Sequence, residues 1–276
     1  MLTGSANAQF ENRFYEMYRE FFNRAETERR WNIQKDIPWD QCNPNVSDAI
    51  ALIVESFCAV ELFLPDYTSK ILHLIRKSRG RAWFQANWGY EESKHSLALE
   101  EWLVRSGKRT EKEVSDFSQT VLEREWDLPF ETPRQMMVYT TFQELSTGLN
   151  YKNLRRKAME QEDGALAAAL SFIARDESAH YQFFKDGVKL YMQEDRDGTL
   201  SDIRTVLEGF RMPAQDLIPD WEVRGKTIVG EKIFSDRIFY KDIMRPILSV
   251  LGTSRDEIQA LGTTVPELSK TDRVAG

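Results

Sequence analysis

Ile173-Ala174-Arg175-Asp176-Glu177-Ser178-Ala179-His180 and Tyr90-Glu91-Glu92-Ser93-Lys94-His95 decide how this chain is read. Each places a Glu three residues before a His, and on a helix that spacing stacks the two side chains on one face, a turn apart. The chain holds only three His, and two of them sit in this arrangement. Around the second pair Leu166, Leu170, Ile173, Glu177, His180, Phe184, Val188 and Tyr191 recur at steps of three and four, the inward stripe of a bundle helix. Around the first, Trp88, Glu92, His95, Leu99 and Trp102 do the same. A carboxylate on such a stripe is costly to bury without a cation or a partner. The competing reading, two buried Glu–His hydrogen bonds, leaves the inward Glu without a counter-charge.

Two further carboxylates lie on inward stripes. Glu144 is flanked at helical spacing by Met137, Thr140, Thr147 and Tyr151, and Glu61 shares a stripe with Ile50, Val54, Phe57 and Leu64. Glu55 competes with Glu61, because that helix is apolar on both faces and periodicity does not separate them. One Glu from each of two helices plus a Glu-x-x-His from each of two others is the ligand pattern of ferritin-like di-iron bundles. Four carboxylates and two neutral imidazoles balance two divalent cations, and carboxylate-rich ligation suits iron or manganese more than structural zinc. His73 lies twelve residues beyond Glu61 and reads as structural; Glu91 reads as solvated or as a neighbour of the ligands. The basic run Arg76, Lys77, Arg79 and Arg81 is a solvated face or a docking patch for an acidic partner.

With 276 residues, 41% hydrophobic and 12% aromatic, the chain can bury a sizeable core, and a single domain over 1–276 is expected. A net charge of −7 argues against nucleic-acid binding. No apolar run reaches the roughly eighteen residues of a membrane span, so no membrane insertion is expected, and the N-terminus carries no signal-peptide core. Cys42 and Cys58 have no metal or redox spacing, which fits a cytoplasmic protein. The periodicity predicts helices over 9–30, from Ser47-Asp48 to Leu64, over 81–105, 109–126, 134–162 and 165–194, then shorter helical pieces to about Leu261. Pro65 restarts a helix whose basic tail ends at Gly80, and Asp197-Gly198 makes a turn. Residues 1–8 and about 264–276 read as loose tails. No stretch alternates with period two, so the fold class is all-α: a ferritin-like bundle with a four-helix di-metal core and flanking helices.

The motifs resemble those of the soluble acyl-[acyl-carrier-protein] desaturases. Glu91-Glu92-Ser93-Lys94-His95 and Asp176-Glu177-Ser178-Ala179-His180 are similar to the family's E-E-N-R-H and D-E-K-R-H. Thr141-Phe142-Gln143-Glu144 resembles its S/T-F-Q-E helix, and Glu61-Leu62-Phe63-Leu64-Pro65-Asp66-Tyr67 its E-x-x-L-P-x-Y segment, which selects Glu61 over Glu55. The likeness runs from about residue 10 to 220 and is weak beyond. It implies two irons held by Glu61, Glu92, His95, Glu144, Glu177 and His180, with Glu92 and Glu177 bridging. It also implies dioxygen as co-substrate, an acyl chain on an acyl carrier protein, a ferredoxin-type donor and a homodimer. Thr147 would stand beside the oxygen site, the alternative being a core Thr bonded back to its own helix. Asp176 would orient His95 and receive the indole of Trp31. Met136 and Thr140 would line the acyl cavity, where the plant enzymes carry Gly at the first position; otherwise Met136 packs against a neighbouring helix. Ser178, Ala179, Ser93, Ser96 and Lys70 depart from the family pattern, and no plant transit peptide is expected. Another oxidation on the same scaffold (hydroxylation, N-oxygenation or decarboxylation) is the first alternative, and iron storage the second.

Overall fold

A computed structural model describes residues 4–260, all helix and loop. α1 (Gly4–Arg24) runs into a π-helical turn (Ala25–Arg29), followed by the short α2 (Ile33–Asp36). α3 (Asp48–Glu61), α4 (Leu64–Ile75), α5 (Arg79–Arg105), α6 (Glu111–Leu122), α7 (Pro133–Glu160) and α8 (Gly164–Glu194) follow. The chain continues through α9 (Arg196–Gly209), α10 (Trp221–Gly230), α11 (Asp236–Ile238), a second π-helical turn (Phe239–Met244), α12 (Arg245–Val250) and α13 (Arg255–Ala260). No helix among the described residues is long and apolar enough to cross a membrane.

The helix starts follow from capping chemistry. Ser47 accepts from Ile50 N, Thr132 from Gln135 N ahead of Pro133, and Asp163 from Leu166 N at 2.7 Å. Thr110 and Glu113 form a reciprocal capping box at α6. Three expectations need correction. Residues 4–8, expected in a loose tail, belong to α1; residues 1–3 and the tail expected from about 264 lie outside the described residues. Gly80 does not end a helix: it lies in the first turn of α5, where a Cβ would meet the backbone of Phe14 and Tyr15 at 2.4–2.5 Å, so its bare Cα lets α1 cross α5 closely. Asp197-Gly198 is the first turn of α9, capped by Asp195, which accepts from Gly198 N at 3.0 Å.

The bundle at the centre is α3, α5, α7 and α8. Its apolar interior falls into two blocks. Phe84 and Trp88 of α5, Met137 and Phe142 of α7, and Phe183, Phe184 and Val188 of α8 belong to one. Leu99 and Trp102 of α5, Tyr151 and Leu154 of α7, and Leu166, Leu170 and Ile173 of α8 belong to the other. On α5, α7 and α8 the stretch between the two blocks carries the candidate ligands, and α3 ends on Glu61 at the same level. The two apolar blocks therefore close a polar layer off from water at both ends of the bundle.

Candidate metal centre

Glu61 at the end of α3, Glu92 and His95 on α5, Glu144 on α7 and Glu177 and His180 on α8 meet in that layer, all buried. They form two overlapping groups, Glu61–Glu92–His95–Glu177 and Glu92–Glu144–Glu177–His180, in each of which one ligand atom per residue lies within 4.8 Å of every other. Glu92 and Glu177 belong to both groups. Gly148 of α7 permits the close approach to α8, since a Cβ there would stand 3.2 Å from that of Glu177.

The donor set fits a pair of cations. His180 Nε2 lies 2.8 Å from Glu91 Oε2, so the N–H points outward and Nδ1 turns inward, 3.0 Å from Glu92 Oε1 and 3.3 Å from Glu144 Oε2. His95 repeats this: Nδ1 lies 3.3 Å from Glu177 Oε1 and 3.4 Å from Glu92 Oε2, and Nε2 faces Asp176 Oδ2 at 3.6 Å. None of the inward contacts has hydrogen-bond geometry. Glu92 Oε1, Glu144 Oε2, both oxygens of Glu177, both nitrogens of His95 and His180 Nδ1 are buried with no hydrogen-bond partner. Lone pairs facing one another at such distances repel unless a cation lies between them, and two ligands at right angles on one ion, each about 2.1 Å from it, stand about 3.0 Å apart.

The electrostatics agree. Burial, reinforced by neighbouring carboxylates, raises Glu61, Glu144 and Glu177 above the usual carboxylate range. Burial also opposes charging His95 and His180, but Glu92 and its fellow carboxylates hold both well above the ordinary imidazole value. Glu92, between the two imidazoles, is held low despite its burial. Without cations, protons compensate the negative charge that two divalent ions balance.

An outer ring fixes the ligands. Tyr151 OH donates to Glu61 Oε1 at 2.7 Å, Tyr67 OH to Glu61 Oε2 at 3.4 Å, and Trp88 Nε1 to Glu144 Oε1 at 3.1 Å. Trp31 Nε1 donates to Asp176 Oδ2 at 2.7 Å, and Asp176 is pushed down to about 2: burial opposes this, but the contact with His95 outweighs it. Glu91 is buried, not solvated: it accepts from His180 and pairs with Arg29 and Arg30. Tyr67, Tyr151 and Trp88 stand in the quoted stripes and motifs, where helical phase alone could have marked them as neighbours of the ligands. Arg29 carries no such signal.

Other candidates lie elsewhere. Glu55 is buried but bound to Arg109 at 2.6 Å and Arg224 at 2.7 Å, away from the cluster. His73 is exposed. Within the basic run Arg81 pairs with Glu11 and donates to Tyr191 OH at 2.5 Å, and Arg79 stacks on Trp83, leaving Arg76 and Lys77 as its exposed unstacked charges. Lys70 turns to Asp127 and Leu128 O, tying α4 to the loop before α7. A mostly apolar cavity of about 120 Å³ abuts Glu61, lined among others by Phe57, Thr147, Tyr151, Met212, Trp221 and Phe234. Thr147 lines it while also donating to Gln143 O at 3.0 Å. Met136 and Thr140 do not line it: Met136 is 2% exposed in the apolar core, and Thr140 donates back to its carbonyl at 2.7 Å.

A family model described as fatty acid desaturase matches residues 18–249. A chloroplastic stearoyl-[acyl-carrier-protein] 9-desaturase 4 of Arabidopsis thaliana is 27% identical over 215 residues, covering 74% of this chain and 49% of the relative. DesA1 of Mycobacterium tuberculosis, provisionally named an acyl-[acyl-carrier-protein] desaturase, is 22% identical over 220 residues, covering 76% and 63%. The chain thus spans about half the length of the plant relatives it matches. The X-ray structure of DesA2 of M. tuberculosis H37Rv, likewise provisionally named, superposes with a TM-score of 0.66 at 19% identity, over 93% of this chain and 100% of that one. The shared fold is the ferritin-like all-α bundle.

Proposed function

Because the chain belongs to the fatty acid desaturase family, we propose that it is an oxygen-dependent di-iron oxidoreductase that desaturates a fatty acyl chain held on an acyl carrier protein. The observation that carries this is the pair of overlapping ligand groups sharing Glu92 and Glu177, with their unpartnered buried atoms. Glu61 and His95 would hold one ion, Glu144 and His180 the other, and Glu92 and Glu177 would bridge. When bound, two irons supply the activation of dioxygen and the two-electron oxidation of the substrate.

The protein's part is to bind, orient and dry the site. Tyr67, Tyr151 and Trp88 hold the terminal carboxylates in place; Glu91 holds the outer nitrogen of His180 as N–H, and Asp176 faces that of His95, so that each Nδ1 turns its lone pair inward. The substrate reaches the site through the apolar cavity beside Glu61, with Thr147 on its wall. We assign the donor as ferredoxin-type, the compartment as cytoplasmic, and the chain as one domain that forms a homodimer. The outward row Trp83, Tyr90 and Leu97 on α5, each about half exposed, supports an α5–α5 contact.

One observation favours a second reading. The cavity is well below the 300–1,000 Å³ of ordinary ligand pockets, which suits oxidation of a smaller substrate on the same scaffold. Mass spectrometry of lipids from a host expressing the wild type or Glu177→Ala decides between them. New double bonds that depend on Glu177 support desaturation; an unchanged lipid profile beside another Glu177-dependent oxidised product supports the alternative.

A further inference from the structure

The π-helical turn Ala25–Arg29 ends on a charge in an unusual place. Arg30 N closes the widened turn on Ala25 O at 3.0 Å, and Arg29 turns inward to 8% exposure. Its guanidinium lies over the Phe21 ring, 4.8 Å from the centroid, and Arg175 donates to its carbonyl at 2.6 Å. Arg29 Nη1 donates to Asp176 Oδ1 at 2.8 Å, and both terminal nitrogens reach Glu91 at 3.4 Å. These two carboxylates face the outer nitrogens of His95 and His180, one for each half of the cluster. Arg30 touches Glu91 alone among them, at 2.9 Å, and is 27% exposed at its side chain.

We infer that Arg29 is a positioning residue that joins the outer partners of both histidines into one unit and sets the reduction potential of the metal pair. The inference rests on the two-iron reading above. Charge counting gives its direction. Inside, four carboxylates balance two divalent ions; outside, Glu91 and Asp176 face Arg29, Arg30 and the buried Lys94, of which Arg29 alone hydrogen-bonds to both. A buried cation beside the ligands favours the reduced, less charged state of the metals. It also weakens the pull of Glu91 and Asp176 on the imidazole protons, so both histidines stay neutral donors. Losing it makes both imidazoles stronger donors and favours the oxidised state. The two effects have the same sign. A planar guanidinium spans two carboxylates, whereas a lysine ammonium is a point charge.

The test is a mediated redox titration of iron-loaded wild type, Arg29→Gln, Arg30→Gln and Arg29→Lys, with Mössbauer spectra of each. Arg29→Gln should lower the potential by at least tenfold in the one-electron equilibrium constant, about 59 mV. Arg30→Gln should move it less, and Arg29→Lys should stay near the wild type. An iron-loaded Arg29→Gln with the wild-type potential, or with a shift no larger than that of Arg30→Gln, overturns the inference. If Arg29→Gln does not fold, Arg29→Lys carries the test: it should change the Mössbauer signal of at least one iron, and a wild-type spectrum refutes the bridge. A wild type that takes up no iron pair refutes the metal reading itself.

Discussion

Glu177→Gln removes one negative charge from the polar layer and almost no volume. Ligand atoms in each group lie within 4.8 Å of one another, and two like charges at that separation repel by about 3.5 kcal/mol at an effective dielectric near 20. Glu177 faces Glu92 and Glu144, and burial with Glu92 already raises its pKa, so proton uptake relieves part of this repulsion in the metal-free protein. About 1–3 kcal/mol remains for the substitution to release. In a chain of this size that is roughly 2–10 °C of melting temperature. The metal-free variant should therefore melt above the metal-free wild type, the trade of stability for function expected at a strained site. Anaerobic Fe(II) should reverse the order: at a hundredfold excess over Kd it stabilises the wild type by about 2.7 kcal/mol and leaves the variant unchanged. Calorimetry with and without Fe(II) reads both effects. A metal-free variant that melts below the wild type, or one that gains as much from iron, would refute the charge argument.

Three more predictions follow from the same geometry. Glu61, Glu144, Glu177, His95 and His180 all have raised folded pKa values; the carboxyls keep protons that the unfolded chain loses above about 4.5, and the imidazoles protons that it loses above about 6.5, so metal-free stability should fall as pH rises through these values. The gain from iron should grow with pH because binding releases those protons, and parallel melting curves for the two forms between pH 5 and 9 would contradict this. Met136→Gly should cost about 3–5 kcal/mol through the cavity and the added backbone freedom, with an unchanged preference among acyl substrates of graded length; a changed preference at constant melting temperature would return Met136 to the substrate channel. Gly225→Leu, in the wall of the cavity where a Cβ meets only Trp221 at 3.8–3.9 Å, should lower turnover at least tenfold without changing iron uptake, and undiminished turnover would place substrate access elsewhere.

What could be read from the sequence is what repeats with the helical period. The stripes through Glu92–His95, Glu144 and Glu177–His180 are continuous over long helices, so their inward phase is legible. α3 is different: it is apolar all round, and Glu55 and Glu61 are both buried. What separates them is Arg224, 169 residues from Glu55 in sequence, which pairs with it. Such long-range pairing leaves no periodic trace. Arg29 is hidden for a related reason, because a π turn changes the phase of the helix that carries it. Gly80 read as a stop signal, yet its bare Cα serves a crossing with α1. Met136 shares a face with Glu144 in sequence, but the α7 core extends past it and the cavity does not.

Anaerobic titration of the metal-free wild type with Fe(II), followed by Mössbauer spectroscopy, decides whether the polar layer holds a metal pair. The wild type should saturate at two irons per chain as a coupled pair, and Glu177→Ala should lose the pair. Saturation at one iron, uncoupled irons, or a pair that survives Glu177→Ala would contradict this reading.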